Sequence, residues 1–347
     1  MVRALVKTVM LMALLWQPAS AAVILMYHHV DEATPAATSV TPAQFEDNLN
    51  RLAAEDFEVV RLDELIKRVR AGVSPTARLA AISFDDAYRS IYETGLPLLE
   101  ARGWQAAVFI NTDGLDRGGR AMTSEMVTDM HRRGHLVLNH TRSHPHMVRQ
   151  GLEESEAQWL QRMRDEVEGA AERLETLTGE TPLPWLAWPY GEQNAALRAL
   201  LRDMGYIAFG QQSGAVDKGV DWQNIPRIPV NRHQAEWRSL RDKVLALPFP
   251  LRASQPADGV IRAARPELTL VMDGDWRQRG IQCFIGRQVV RPVIRFADGV
   301  SQVMVRSSED IPVGRSRYNC TAAAGEGRFY WHSWVWMRRD GDGWYPE

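Results

Sequence analysis

Apolar and polar positions follow two different patterns along the chain, and the change between them lies near residue 247. From Val23 to Leu247, short apolar runs such as "VILMYHHV" and "AAISF" are separated by longer segments with helical spacing, such as Phe45, Leu49 and Leu52. Strands that alternate with helices predict βαβ units around a parallel sheet. About seven such units fit a barrel or an open sheet, and both place reactive groups at the carboxyl ends of strands.

After residue 247 the pattern changes to short alternating runs, which predict a small antiparallel β domain over residues 266–347. The segment "PFPLRASQPADG" is rich in proline and polar residues, so residues 248–265 are predicted to be a linker. Cys283 and Cys320, the two cysteines of the chain, could form a disulfide in an oxidising compartment. Two roles stay open for the tryptophans of this domain, namely sugar binding by exposed rings and packing in the core.

The first 21 residues have the three parts of a secretory signal peptide. A basic segment, "MVRALVK", is followed by the apolar "TVMLMALLW" and by the small residues Ala19, Ser20 and Ala21. The apolar part is about half the roughly 20 residues that a membrane-spanning helix needs. We therefore expect cleavage near Ala21 and a secreted protein, periplasmic or extracellular, without a stable membrane anchor.

The overall charge argues against one class of function. The chain has 41 basic and 43 acidic residues and a formal net charge of −2. Nucleic-acid binding usually needs a strongly basic surface, so we expect no nucleic-acid partner. A hydrophobic content of 45% is ordinary for a globular protein and fits one large and one small domain.

Candidate chemistry is concentrated where predicted strands end. "AAISF" is followed by Asp85 and Asp86, and "LVLN" is followed by "HTRSH", which contains His140 and His144. A spacing of four places two imidazoles on one face of a helical turn. Two histidines and one aspartate form a catalytic zinc site with an open position. Such a cation offsets the repulsion of adjacent carboxylates, one of which can bind the metal while the other acts on water as a base.

The segments "SFDDAYRS", "NHTRSH" and "WPYGEQN" resemble the successive motifs of the NodB-type polysaccharide deacetylases, carbohydrate esterase family 4. The pattern is closest to the subgroup that acts on poly-N-acetylglucosamine exopolysaccharides, which "YHHV", "TPAQFEDNLNRL" and "PRIPVNR" also resemble. The resemblance covers about residues 22–247. It implies an α/β fold of the distorted (β/α) barrel type and the metal-dependent N-deacetylation of an N-acetylhexosamine polysaccharide, with release of acetate. The implied cofactor is one divalent ion, Zn²⁺ in most members, with other divalent transition metals as alternatives.

The resemblance also implies a role for each matching residue. Asp85 corresponds to the general base. Asp86, His140 and His144 correspond to the metal ligands. Tyr190 corresponds to the residue whose backbone N–H binds the oxyanion.

Three departures from the family pattern affect the expected chemistry. Ala87 stands where the family usually has glycine, which fits unless that position needs a positive φ. Ala187 stands where the family commonly has an arginine, so we expect the arginine that orients the base to be missing. The late motif that supplies the general acid is absent, and we predict His233 in this role, with His28 and His29 as rivals.

The substrate contacts and the substrate itself leave alternatives open. Trp188 could stack on a sugar ring, and Asn111, which follows the strand "AAVFI", could contact substrate or form a local turn. Rival substrates are peptidoglycan, chitin-like oligomers and acetylated xylan. A different class of function, a barrel that binds polysaccharide without hydrolysis, also stays open. Exopolysaccharide export machinery is a candidate partner.

Overall fold

A computed structural model gives the fold and describes residues 21–72, 78–341 and 343–345. Residues 1–20, which carry nearly all of the predicted signal peptide, lie outside the described residues. Within the described part of the chain, no helix combines the length and the apolar composition that crossing a membrane requires.

The first domain is built around a parallel β-sheet. Its strands are β1 (Ala21–Tyr27), β2 (His29–Val30), β3 (Ser39–Val40), β4 (Glu58–Val59), β5 (Arg78–Asp85), β6 (Ala107–Ile110), β7 (Leu136–Asn139), β8 (Trp185–Ala187), β9 (Ile207–Phe209) and β10 (Ile228–Pro229). The main sheet has the order β10-β1-β5-β6-β7-β8-β9, and β4 also pairs with β5. Every pair in this sheet is parallel. The strands β2 and β3 form a separate pair.

Helices cover the sheet, so its strands are buried on both faces. The helices are α1 (Pro42–Ala54), α2 (Leu62–Ala71), α3 (Leu96–Glu100), α4 (Ser124–Arg132), α5 (Glu156–Thr178), α6 (Ala195–Asp203) and α7 (Trp237–Val244). Thr41 caps α1 in a capping box with Gln44, and Gly72 ends α2 with φ 91°. Along β1, Val23 and Leu25 pack in one core cluster and Ile24 in another, which is the alternation expected of a barrel strand with one face toward the barrel interior and the other toward the helices.

The sheet curves into an incompletely closed barrel. Its edge strands are β9 and β10. Phe209 of β9 forms a parallel bridge with Ile225, which precedes β10 by three residues, so a loop closes the ring where strand pairing ends. This arrangement confirms the predicted α/β fold, a distorted (β/α) barrel followed by a β domain. The carboxyl ends of the strands lie at one rim, where the candidate residues are found.

The C-terminal domain consists of two mainly antiparallel sheets. Its strands are β11 (Leu251–Gln255), β12 (Val260–Ile261), β13 (Glu267–Asp273), β14 (Gln282–Ile285), β15 (Gln288–Val290), β16 (Val293–Ala297), β17 (Val300–Arg306), β18 (Gly314–Gly325) and β19 (Arg328–Arg338). One sheet has the order β11-β13-β17-β16 and the other β12-β19-β18-β14-β15. Trp276, Trp334 and Trp336 are buried in the core of this domain, which favours the packing role for these rings.

The predicted linker, residues 248–265, is wrong as an interpretation of structure. It contains β11, which pairs with β13, and β12, which pairs with β19. The proline-rich composition reflects edge strands, because proline is tolerated at the ends and edges of sheets. The β domain therefore begins soon after the barrel ends.

Cys283 and Cys320 form a disulfide between β14 and β18, where they lie directly opposite each other. Both residues are buried in the core of the β domain. The bond connects positions separated by 37 residues in the sequence, so it restricts the unfolded chain as well as the folded domain.

Candidate metal centre and catalytic cleft

Three side chains from two strand ends converge on one point at the barrel rim. Asp86 follows β5, and His140 and His144 follow β7. Asp86 Oδ1 lies 3.6 Å from His140 Nε2 and 3.5 Å from His144 Nε2. The three atoms lie within 4.8 Å of one another. Ligand atoms in a tetrahedral zinc site are roughly 3.3 Å apart, given bond lengths of about 2.0–2.1 Å, so these distances fit a shared ion.

The environment of His140 also fits a metal ligand. Its Nδ1–H donates to the carbonyl of Ala187 at 2.8 Å, which orients the ring. Its Nε2 is buried and has no hydrogen-bond partner among the described residues. A buried polar atom without a partner is costly, and a cation between His140 and Asp86 would satisfy it. The residues present therefore fit the divalent ion that the sequence implies.

The turn from His140 to His144 is not helical, which corrects the geometric reason for pairing them. Thr141 and His144 instead have positive φ angles of 66° and 58°. Glu166, from α5, holds this turn through its carboxylate, which accepts the backbone N–H of Arg142 at 3.1 Å and of Ser143 at 2.8 Å. Long-range contacts from a helix, rather than helical periodicity, therefore bring the two imidazoles together.

Asn139 supports the same turn from the end of β7. Its side-chain oxygen accepts the N–H of Thr141 at 2.8 Å, and its amide nitrogen donates to the carbonyl of Val167 at 2.8 Å. Eight described non-glycine residues have a positive φ. Three of them, Asp86, Thr141 and His144, lie at the candidate metal centre. Backbone strain of this kind often marks functional sites.

The candidate base, Asp85, is paired with a residue that the sequence analysis missed. Arg227 Nη1 and Nη2 donate to the two carboxylate oxygens of Asp85 at 2.5 and 2.7 Å, and both residues are fully buried. Burial alone would raise the pKa of Asp85, but the positive charge and the hydrogen bonds of Arg227, with a smaller contribution from the neighbouring His140, outweigh it and lower the pKa to about 2. Asp85 is therefore ionised at neutral pH.

The expected absence of an arginine that orients the base is wrong. Arg227 lies in the loop before β10, the last strand of the barrel, and its ion pair with Asp85 orients the carboxylate. The available signal was an arginine inside the apolar segment "NIPRIPV", because a charged residue in a buried run needs a buried partner. Ala87 is not among the described non-glycine residues with positive φ, so alanine fits that position.

Tyr190 follows β8 and has a left-handed backbone, with φ 58°. Its ring stacks on His146 with centroids 3.9 Å apart and lies 4.5 Å from the ring of His144. His146 Nδ1 in turn lies 2.7 Å from a carboxylate oxygen of Glu192, which is fully buried. The segment expected to supply the oxyanion N–H is thus fixed beside the metal ligands.

A cleft of about 670 Å³ opens onto the metal centre. Asn111 is among its lining residues, and its side-chain oxygen accepts the N–H of Ala87 at 3.1 Å, so it also supports the loop after β5. His28 lines the cleft as well. His29 is buried, stacks on Tyr88 with centroids 3.5 Å apart, and has a pKa lowered to about 4 by burial and by the charge of His28, so it is part of the packing.

Two predicted site residues lie elsewhere. Trp188 is 0% exposed, and its indole N–H donates to the carbonyl of Gln223 at 2.9 Å, so it cannot stack on a sugar. The prediction failed because Trp188, which directly follows β8, packs its side chain into the core below the rim. His233 is exposed in a turn and is absent from the described lining of the cleft. His28, which lines the cleft, is better placed than His233 to act as a general acid.

The first domain is similar in sequence and in fold to known polysaccharide deacetylases. Residues 72–209 match the family model described as polysaccharide deacetylase. The Bacillus subtilis (strain 168) protein YxkH, named for the same family, is 24% identical over 121 residues, which are 35% of this chain and 42% of YxkH. The chain thus matches less than half the length of this curated relative.

Several solved deacetylase structures share the fold. IcaB from Ammonifex degensii has a TM-score of 0.57 at 19% identity. The similarity covers 65% of this chain and 97% of the IcaB chain. The BpsB deacetylase domain from Bordetella bronchiseptica has a TM-score of 0.54 at 22% identity, over 62% of this chain and 98% of its own. Streptococcus pyogenes PplD, solved with acetate, has a TM-score of 0.57 at 18% identity. The similarity covers 65% of this chain and 99% of PplD.

Proposed function

We propose that this protein, whose residues 72–209 match the polysaccharide deacetylase family model, is a metal-dependent hydrolase that removes acetyl groups from an N-acetylhexosamine polysaccharide similar to poly-N-acetylglucosamine. The observation that carries the proposal is the convergence of Asp86, His140 and His144 beside an ionised Asp85. The resemblance of the motifs to the exopolysaccharide subgroup supports the substrate class.

Two imidazoles and one carboxylate form the donor set of catalytic zinc sites, and other divalent transition metals accept the same set. A divalent ion held by Asp86, His140 and His144 would polarise the acetyl carbonyl and lower the pKa of water. The ligands come from two loops, and contacts within the chain fix both: Glu166 and Asn139 hold the histidine turn, and Asn111 holds the loop after β5.

Asp85 accepts the proton of the attacking water in this mechanism. Its pKa of about 2 keeps it ionised at neutral pH. Arg227 occupies one acceptor site on each carboxylate oxygen, and each oxygen retains a second lone pair for the proton. The bidentate pair also fixes the direction of the carboxylate, which general base catalysis requires.

Tyr190 and His28 complete the reaction. The backbone N–H of Tyr190 donates to the oxygen on which negative charge develops, and one such donor typically contributes about 10²–10³ in rate. His28, which lines the cleft, donates a proton to the departing amine. The products are acetate and an amine-bearing sugar unit, so the polymer gains positive charge.

We place the enzyme outside the cytoplasm, with exopolysaccharide export machinery as the candidate partner. The disulfide between Cys283 and Cys320 supports this location, because such bonds persist in oxidising compartments. Cell fractionation with an antibody to the mature protein tests it. Recovery of unprocessed protein in the cytoplasm would contradict the proposal.

Acetate release tests the proposed reaction. The full mature chain is incubated with N-acetylated chito-oligosaccharides and with poly-N-acetylglucosamine, before and after treatment with a chelator. We expect acetate release that the chelator abolishes and Zn²⁺ restores. Binding of polymer without acetate release under any divalent metal would favour a non-catalytic binding module, and release unaffected by the chelator would exclude a metal-dependent mechanism.

A further inference from the structure

The C-terminal β domain forms part of the wall of the catalytic cleft. Arg315 and Arg317, both in β18, lie among the residues that line it. Backbone hydrogen bonds fix the domain in this position: Leu247 N–H donates to the carbonyl of Phe329, and Trp331 N–H donates to the carbonyl of Leu247, each at 2.8 Å. The two arginines are therefore permanent components of the cleft.

Arg315 lies one aromatic ring away from a metal ligand. Its Nη1 donates to the carbonyl of Tyr190 at 2.9 Å, and its guanidinium carbon lies 5.4 Å from the centroid of the Tyr190 ring. That ring contacts His144 on the metal side. Arg315 therefore lies in the cleft wall close to the candidate metal centre, within reach of a sugar unit next to one bound there.

Arg317 carries a charge that the protein does not neutralise. Its Nη2 donates to the carbonyl of Gln211 at 3.3 Å. Within the described ranges, no carboxylate lies at ion-pair distance from Arg317. Although the Arg317 side chain is exposed, partial desolvation by its surroundings and the nearby charge of Arg315 lower its pKa, and desolvation and the charge of Arg317 lower the pKa of Lys243. Like charges are thus held together here at a cost that a bound anion would relieve.

The remaining charges of the cleft reinforce this imbalance. Its charged lining residues are Asp86, Arg120, Arg315 and Arg317. Asp86 belongs to the metal centre. Glu192 lies 3.7 Å from Arg315 Nε but is fully buried and also accepts the hydroxyl of Tyr345. A cleft with three guanidinium groups attracts carboxylates and repels ammonium groups.

We propose that Arg315 and Arg317 form a subsite that binds a carboxylate-bearing sugar of the polysaccharide, next to the N-acetylhexosamine being deacetylated. The inference rests on the proposed function: it keeps the N-deacetylation of an N-acetylhexosamine unit, but it replaces a neutral poly-N-acetylglucosamine chain by a polymer in which acidic units flank that unit. Planar guanidinium groups bind carboxylates in a bidentate way. The same subsite disfavours a glucosamine neighbour, so consecutive units are not deacetylated efficiently.

Matched oligosaccharides of equal length test the subsite. One is a neutral chito-oligosaccharide, one alternates N-acetylglucosamine with glucuronic acid, and one contains N-acetylmuramic acid. We expect kcat/KM for an acidic oligomer to exceed the neutral value by about tenfold or more, the effect of a charge-assisted hydrogen bond. A higher kcat/KM for the glucuronic acid oligomer would indicate recognition of a carboxylate on the sugar ring. A higher kcat/KM for the N-acetylmuramic acid oligomer would indicate recognition of a carboxylate on a lactyl substituent. Higher salt should reduce the preference.

Variants at Arg317 give the decisive comparison. Arg317→Gln should lower kcat/KM at least about fivefold more for the preferred acidic oligomer than for the neutral one, since only the acidic oligomer loses a charged partner. Arg317→Glu should reverse the preference. Arg295→Gln is the matched control, because Arg295 is an exposed arginine of β16 outside the cleft lining, and it should change neither value.

Other results would overturn the subsite without affecting the deacetylase. The subsite would be overturned if kcat/KM were equal for neutral and acidic oligomers. It would also be overturned if Arg317→Gln lowered kcat/KM equally for both kinds of oligomer. If the wild-type enzyme releases acetate from no oligomer, the proposed function fails, and calorimetric binding of the same oligomers then tests the subsite. Equal affinities of the wild type and Arg317→Gln for the acidic oligomers would overturn it.

Discussion

Arg227 binds both carboxylate oxygens of Asp85 although the two residues are 142 positions apart in the sequence. Arg227 Nε also donates to the carbonyl of Gly210 at 2.9 Å, which anchors the guanidinium. The pair joins β5 to the loop before β10, across β1. The orientation of the base is therefore a property of the assembled sheet and not of either segment alone.

Removing Arg227 should destabilise the protein strongly. Arg227→Gln leaves a buried carboxylate without its partner, which typically costs about 3–5 kcal/mol. Urea unfolding measures the change. Arg277→Gln is the control, because Arg277 and Asp275 form an exposed pair that contributes little, and its unfolding midpoint should stay unchanged. Similar midpoints for the two variants would contradict a stabilising role for the buried pair.

The adjacent aspartates should respond differently to neutralisation. Asp86→Asn should lose the metal, because it removes one of three ligands. Asp85→Asn should retain the metal and lose about 10²–10⁴ in kcat, the usual contribution of a general base. Metal content by mass spectrometry and acetate release measure the two effects. Equal metal loss in both variants would show that the roles are misassigned.

The position of His28 in the cleft predicts a difference between two histidines. His28→Gln should lower kcat by about 10²-fold or more, as expected for loss of a general acid. His233→Gln, at an exposed position outside the cleft lining, should leave kcat unchanged. Kinetics of acetate release on one oligosaccharide test both variants. A larger effect at position 233 would restore the original sequence prediction.

The disulfide should contribute to the stability of the β domain. Closing a loop of 37 residues stabilises by about 3–4 kcal/mol in the chain-entropy account. The double variant Cys283→Ser, Cys320→Ser should lose that amount in urea unfolding. Reduction of the wild-type protein should produce the same shift, whereas the double variant should not respond to the reductant. A wild type that does not respond would show that the bond is unimportant for stability.

Mild acid should destabilise the protein through His332. This residue lies on β19, bridges Gly214 of the barrel, and has a pKa lowered by burial from 6.5 to about 4. Between these two values the unfolded chain binds a proton that the folded protein does not, so stability falls as pH decreases. His332→Gln should therefore lose less stability than the wild type between pH about 7 and about 5. Urea unfolding at both pH values measures it, with His233→Gln as the control.

Much of the fold follows from local sequence. The alternation of short apolar runs with helical spacing predicts the parallel sheet, and Thr41 and Gly72 mark helix ends through local chemistry. The predicted linker failed, because edge strands of two or five residues contain too few positions to show a clear period. Composition could not distinguish such strands from a flexible segment.

The candidate site shows the same division. Asp85, Asp86 and His140 were identifiable because each ends or directly follows a buried strand, and His144 was identifiable from its spacing of four from His140. Trp188 was misassigned, because a position next to the rim does not reveal whether a side chain faces the core or the cleft. Its burial depends on the packing of helices around β8 and β9.

The sequence by itself determined the strand ends, the ligand types and the order of the motifs, since these depend on residues that are close along the chain. The tertiary structure alone decided that Arg227 orients Asp85, that Glu166 shapes the histidine turn, and that Arg315 and Arg317 reach the cleft. Contacts between distant segments form only when the barrel closes and the β domain packs against it. No local periodicity encodes them.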